Sequence, residues 1–380
     1  MSYDLAVYTR ERTDLVGTIR SIPTLDIGED GAADSGLVAV RAADRAYLFD
    51  AGGPDALDPE DVPDEVADVH SGVVWRYWVT VEGSGDAGSR AAVRFARALA
   101  RAAGGAVLDQ TTGVWVDGRT HRPRRSRERR LDVVTLRWYA LRGARPDDLG
   151  ARWLEQCRRH LPSALPRRFG PVEPMAHKLA TDGDDGFAEV LAGTEGLLFL
   201  AGTPPFLGGS LTGGGARRRF GPVEVHTATV DRATPAGPMR DLLVGVAEAV
   251  GCFFASAEVQ RNLAWTGRSL YLDEGAEHDV YLAPRGEWLG LPPRPVAWSW
   301  YGPAYAPLVR DGLPGAEPAA GGLLHRWRPE PADRDEIAAS TPWLRPDLLA
   351  REEETAFGSA HLERAARVPR LGRRRWWPWR

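Results

Sequence analysis

The heptad Arg-Arg-Phe-Gly-Pro-Val-Glu occurs twice in the chain, at 167–173 and at 218–224. Each copy sets Gly-Pro inside a strand-like run. Glycine tolerates unusual φ there, while proline fixes its own φ and pushes its predecessor out of the helical region. Each copy therefore predicts a bent or bulged edge strand, and the middle of the chain reads as two related β-containing units. The flanking patterns agree. Residues 131–141 alternate across two faces, and a helix follows from Asp147 and Asp148 with Leu149, Trp153, Cys157 and Leu161 inward. The first heptad then completes strand, helix, strand. The second heptad leads into a strand over 223–230, a helix over about 238–258 that is apolar almost all round, and strands near 269–272 and 279–282. Two such units side by side predict a ferredoxin-like (βαβ-βαβ) α+β domain, with helices on one face and the two heptads on adjacent strands.

The rest of the chain is divided around that domain. Residues 1–118 predict a small N-terminal α+β domain. It has a strand at 3–8, a strand carrying Val73, Trp75, Tyr77, Val79 and Val81 on one face, and a helix over 90–103 ended by Gly104-Gly105. Val93, Ala96, Leu99, Ala100 and Ala103 form the inward stripe of that helix, and Arg90, Arg94, Arg97 and Arg101 line the outward one. Residues 119–130 hold seven arginines and no apolar side chain, so they read as a linker. The ferredoxin-like domain spans 131–305. Residues 306–380 read as a polar, peripheral extension beyond the Pro- and Trp-rich stretch near Trp298, ending in the flexible Arg/Trp tail 373–380.

A net charge of −4 is too small to imply a partner. Lys178 is the only lysine, so the positive charge is almost all guanidinium, suited to bidentate pairing and to stacking on aromatic rings. The two cysteines, Cys157 and Cys252, do not make a metal-cluster motif, and no cofactor is implied. The chain shows neither a signal-peptide pattern nor an apolar run long enough for a membrane helix, so a soluble, cytoplasmic protein is expected.

The candidate chemistry centres on the heptads. On an extended strand Glu224 and His226 share a face about 7 Å apart, and Glu173 is followed by a second histidine at His177. These carboxylates and imidazoles suit acid–base work, or a divalent metal held by His177 and His226. Pairing of each glutamate with an arginine of the other copy is the structural alternative. The glycine run 208–215 lacks both the Lys-Ser/Thr ending of a P-loop and a following helix, so it reads as a hairpin or loop. Ser210 has no nucleophile elbow around it. Arg94, Arg97, Arg101, Arg168 and Arg219 are candidate binding residues, and Trp298, Trp300 and Tyr301 suit a groove for an extended peptide. In the absence of a strong catalytic motif, the expectation is a non-catalytic binding protein, of the bacterial immunity or accessory kind that binds another protein. The alternatives are a hydrolase using Glu173, Glu224 and His226, and a nucleic-acid binder using the arginine-rich surfaces.

Overall fold

The computed structural model describes residues 3–28, 36–83, 85–109, 112–121, 129–172, 175–215, 221–265, 270–271, 280–338, 343–352 and 355. The chain divides into two compact units, Met1–Arg127 and Glu128–Arg380. In the first, the strands are β1 (Tyr3–Thr9), β2 (Leu25–Ile27), β3 (Leu37–Arg41), β4 (Tyr47–Ala56), β5 (Trp75–Val81), β6 (Gly105–Asp109), β7 (Gly113–Val116) and β8 (Arg119–His121). They pair antiparallel in the order β2-β3-β4-β5-β1-β6-β7-β8. The short helix α1 (Leu15–Arg20) is capped by the Asp14 carboxylate, which accepts from the backbone N–H groups of Val16 and Gly17. Helix α2 (Asp64–Ala67) places Val66 beside Tyr8 and Val114 in a small core. The period-two pattern of β5 buries Tyr77, Val79 and Val81 against α3 (Gly85–Ala102), whose Phe95, Ala96 and Leu99 face them.

The second unit is one large antiparallel sheet: β9 (Arg129–Leu141), β10 (Arg168–Gly170), β11 (His177–Lys178), β12 (Leu197–Ala201), β13 (Phe206–Thr212), β14 (Val223–Asp231), β15 (Cys252–Trp265), β16 (Leu270–Tyr271), β17 (Trp298–Tyr301), β18 (Glu317–Ala319) and β19 (Gly322–Arg326). Their order is β11-β10-β12-β13-β14-β9-β15-β17-β19-β18, with β16 on β15. Helices α4 (Leu149–His160), α5 (Leu179–Gly193) and α6 (Ala236–Val250) supply one face of the core. The Trp138 indole of β9 packs edge-on against Trp153 of α4 at 5.1 Å and donates to the Leu243 carbonyl of α6 at 2.8 Å. A second aromatic cluster unites Tyr139, Phe254, Trp288, Tyr301 and Tyr305 with Trp343 and Leu344. The helices α7 (Ala306–Val309) and α8 (Arg334–Ile337) are single turns in this C-terminal part. The central strand β9 is buried on both faces from Val133 to Ala140, with Thr135 and Arg137 interrupting the apolar residues of one face.

Mixed α+β with antiparallel sheets is therefore what the chain forms. The second unit forms an eleven-stranded sheet where a ferredoxin-like sheet was expected, and the first unit forms an eight-stranded sheet of its own. Both heptads contribute to the same sheet, but in different ways. The first supplies Arg168–Gly170 as β10, whereas β14 starts only at Val223 of the second, and β12 and β13 lie between the two. The long helix is shorter than expected: Gly251, at φ 73°, is its left-handed cap, and Cys252 begins β15. Phe253 and Phe254 are thus strand residues. Within 119–130, Arg119–His121 form an edge strand and Arg129 and Arg130 open β9, while 122–128 fall outside the described residues. The stretch after 305 is integral to the fold, since β19 hydrogen-bonds β17 and Val309, Leu323, Trp343 and Leu348 are buried. The tail 373–380 lies outside the described residues.

Candidate functional site

Glu224 and His226 alternate with Val225 on β14, so both side chains face α4 and α6, with Ala228 and Val230 further along the same row. The Glu224 carboxylate is 2% exposed. It lies 3.2 Å from the Arg145 guanidinium and 3.7 Å from that of Arg142, both from the turn between β9 and α4. Arg145 also donates to the Thr212 carbonyl of β13 at 2.8 Å. Burial pushes the Glu224 carboxyl above its usual range, and the two arginines oppose that shift. For Glu224 the arginine pairing is made by Arg142 and Arg145, which belong to neither heptad.

His226 is completely buried. The Thr212 backbone N–H donates to its Nδ1 at 3.2 Å, so the ring proton sits on Nε2, which has no hydrogen-bond partner among the described residues. Burial, with the Arg145 charge adding to it, lowers the imidazole to about 3. The ring is held neutral and lies edge-on to Trp153 at 6.4 Å.

The other candidates are dispersed. His177 is on β11, separated from β14 by three strands. It stacks on Phe169 at 5.4 Å, and its Nδ1 lies 3.0 Å from Asp182. Arg168 donates to the Met175 carbonyl. Glu173 and Arg219 lie outside the described residues. No group of three or more His, Cys, Asp and Glu side chains among the described residues is gathered closely enough to hold a metal ion. Trp298, Trp300 and Tyr301 are at most 2% exposed in the interior strand β17, and the two indoles donate to the Arg328 and Ala319 carbonyls. They close the core and do not line a groove. On α3, Arg94 donates to the Thr24 hydroxyl, while Arg97 and Arg101 stack over Trp115 at 5.4 and 5.0 Å. The glycine run forms most of β13 and the turn after it. A Cβ on Gly209 would collide with the Thr227 carbonyl, and one on Gly213 with that of Thr194, so close backbone approach explains those glycines.

Two polar features escaped the sequence pattern. Arg137 and Glu258, 5% and 6% exposed, lie 3.5 Å apart between neighbouring strands β9 and β15. An open groove of about 490 Å³ runs between α4 and α6. Arg152, Gln156, Arg159 and His160 form its α4 wall, and Asp241, Val244, Gly245, Glu248 and Ala249 form its α6 wall. Those residues recur three and four apart, as neighbours on one helix face do. Arg152 donates to the Ala249 carbonyl across one end. Gly245 allows the close approach: a Cβ there would stand 2.6 Å from Gln156 Oε1 and 2.8 Å from His160 Nε2. Gln156 is 7% exposed.

No family model matches the sequence, and no curated protein matches it either. Among solved structures, the Pseudomonas aeruginosa T6SS protein PA0821 is similar over 53% of this chain and 67% of its own, at 11% identity and a TM-score of 0.38. That likeness is too distant to carry an inference to this chain. No helix among the described residues is long and apolar enough to cross a membrane.

Proposed function

We propose that this is a non-catalytic binding protein whose ligand is another protein, an immunity or accessory protein of a bacterial cytoplasm. The observation that carries the proposal is the sealing of the acid–base candidates Glu224 and His226. Glu224 is 2% exposed and clamped by Arg142 and Arg145, and His226 is neutral and fully buried under Trp153. A general acid or base has to come within hydrogen-bond reach of a substrate, directly or through one water. Groups in this arrangement join β14 to the turn before α4 instead. The open polar surface between α4 and α6 is of the kind that recognises a partner without reacting with it.

The test is purification of the tagged full chain from its native cells, followed by mixing of the separately purified components. One protein that copurifies in stoichiometric amount and re-forms the complex from pure components is the expected result. Metal-dependent hydrolysis of a phosphoester or peptide substrate that disappears in Glu224→Gln would overturn it and restore the hydrolase alternative.

A further inference from the structure

We infer that residues 329–338, which carry α8, form a strap latched to the large sheet by ion pairs, and that the strap lifts as one unit when those pairs are screened or broken. This is independent of the protein-binding role proposed above. The ladder between β17 and β19 ends at Arg326, the Trp327 N–H still donates to the Ala297 carbonyl, and the Arg328 carbonyl accepts from the Trp298 indole. Beyond Arg328 ion pairs take over. Arg261 of β15 lies 2.8 Å from Asp335 and 3.5 Å from Asp333. Arg232, just after β14, lies 3.1 Å from Glu336, and Arg334 lies 3.8 Å from Glu258 of β15. The buried apolar side chains of the strap are Pro331, Ala332 and Ile337, a small set beside the Trp343, Leu344 and Leu348 that fix the chain further on.

The side chains of the latch also make the helix. Asp333 caps α8 by accepting from the Glu336 N–H, and the Glu336 carboxylate accepts from the Asp333 N–H in return. A helix of four residues does not hold its conformation alone, so latch and helix form and break together. Arg232, Arg261, Asp335 and Glu336 are part-exposed or exposed, and ion pairs in contact with water are weak and screened by salt. The surface beside the latch favours opening. Ser256 follows Glu258 on the same face of β15, and Ser299 and His325 continue the row across β17 and β19. Ser256 Oγ and His325 Nδ1 are buried without a hydrogen-bond partner among the described residues, as is the indole N–H of Trp327 at the root of the strap. Dry, unpaired polar atoms are costly, and water entering as the strap lifts relieves that cost.

The test places a thiol on the strap, Ala332→Cys, and follows its labelling by a maleimide in the full-length protein. Hydrogen exchange of the Glu336 and Ile337 amides is read in parallel on the unsubstituted chain. Cys157 and Cys252 are buried and report global unfolding. Expected is labelling of Ala332→Cys that speeds up about tenfold between about 0.05 M and about 1 M sodium chloride, corrected for the rate with free glutathione, while Cys157 and Cys252 stay unlabelled. Adding Arg261→Gln should give a similar acceleration at low salt and remove most of the salt response. Adding Arg345→Gln, which breaks an exposed pair with Asp347 outside the strap, should change neither. Exchange at the two amides should show the same salt response. Circular dichroism checks the variants, and the exchange arm needs no substitution, so the inference stays exposed to refutation if a variant fails to fold. Labelling and exchange that ignore both salt and Arg261→Gln overturn the strap. So does an acceleration shared by Cys157 and Cys252, which marks unfolding of the whole unit.

Discussion

His226 makes stability depend on pH in a direction fixed by its burial. In the unfolded chain its imidazole titrates at the usual 6.5, whereas in the folded protein burial lowers it to about 3. Above about pH 7 neither state binds the proton and His226 contributes no pH dependence. As pH falls from 6.5 toward 3, the unfolded state takes up a proton that the folded state refuses, and stability is lost across that window. At about pH 5 the unfolded ring is about 97% protonated and the folded one about 1%, a difference worth about 2 kcal/mol. Glu224 acts in the opposite sense: its raised carboxyl gains stability as pH falls toward the folded value. A comparison of the wild type with His226→Asn cancels that contribution, since Glu224 is present in both. Asparagine retains an acceptor near Nδ1 for the Thr212 N–H while removing the titrating group. Urea unfolding followed by tryptophan fluorescence at about pH 7.5 and about pH 5 should show the wild type losing about 2 kcal/mol more than the variant. Parallel pH profiles would refute the reasoning. So would an imidazole resonance of the folded protein that titrates near 6.5.

Replacement of Arg145 by alanine removes the nearer cation from Glu224 and the donor to the Thr212 carbonyl. It should cost about 3 kcal/mol in urea unfolding, and the added change Glu224→Leu should recover more than half of that, because the main cost is a buried charge left short of its partner. A single-variant loss under about 1 kcal/mol, or additive losses in the double variant, would contradict the network. Cys157 and Cys252 are both buried, with the Cys157 thiol pushed up to about 12 and that of Cys252 also raised by burial. The folded protein at about pH 8 should therefore not react with Ellman's reagent, while guanidinium should release both thiols; rapid reaction of the folded chain would show that the core opens.

Local periodicity made much of the fold legible. The alternation in β5, the buried stripe Leu149, Trp153 and Cys157 of α4, and the inward Ala96, Leu99 and Ala100 of α3 all follow from spacing that repeats every two or every 3.6 residues. The run from Leu242 to Phe254 shows where spacing fails. Its apolar content is continuous, so only Gly251 and the aromatic pair behind it mark the change from helix to strand. Phe95 is a similar case, an inward residue on α3 beside the stripe that was identified. The site was less legible than the fold because its partners meet across long separations. Arg145 reaches Glu224 across 79 positions, and Gln156 meets Gly245 only because α4 and α6 lie on the same face of the sheet. The repeated heptad points to a sheet but not to a register. Gly170 ends a strand in the first copy, whereas in the second the strand begins at Val223, so the same motif is placed differently in the two. Which acid is clamped is decided by strand order, and strand order is a property of the whole second unit, with β9 held between β14 and β15.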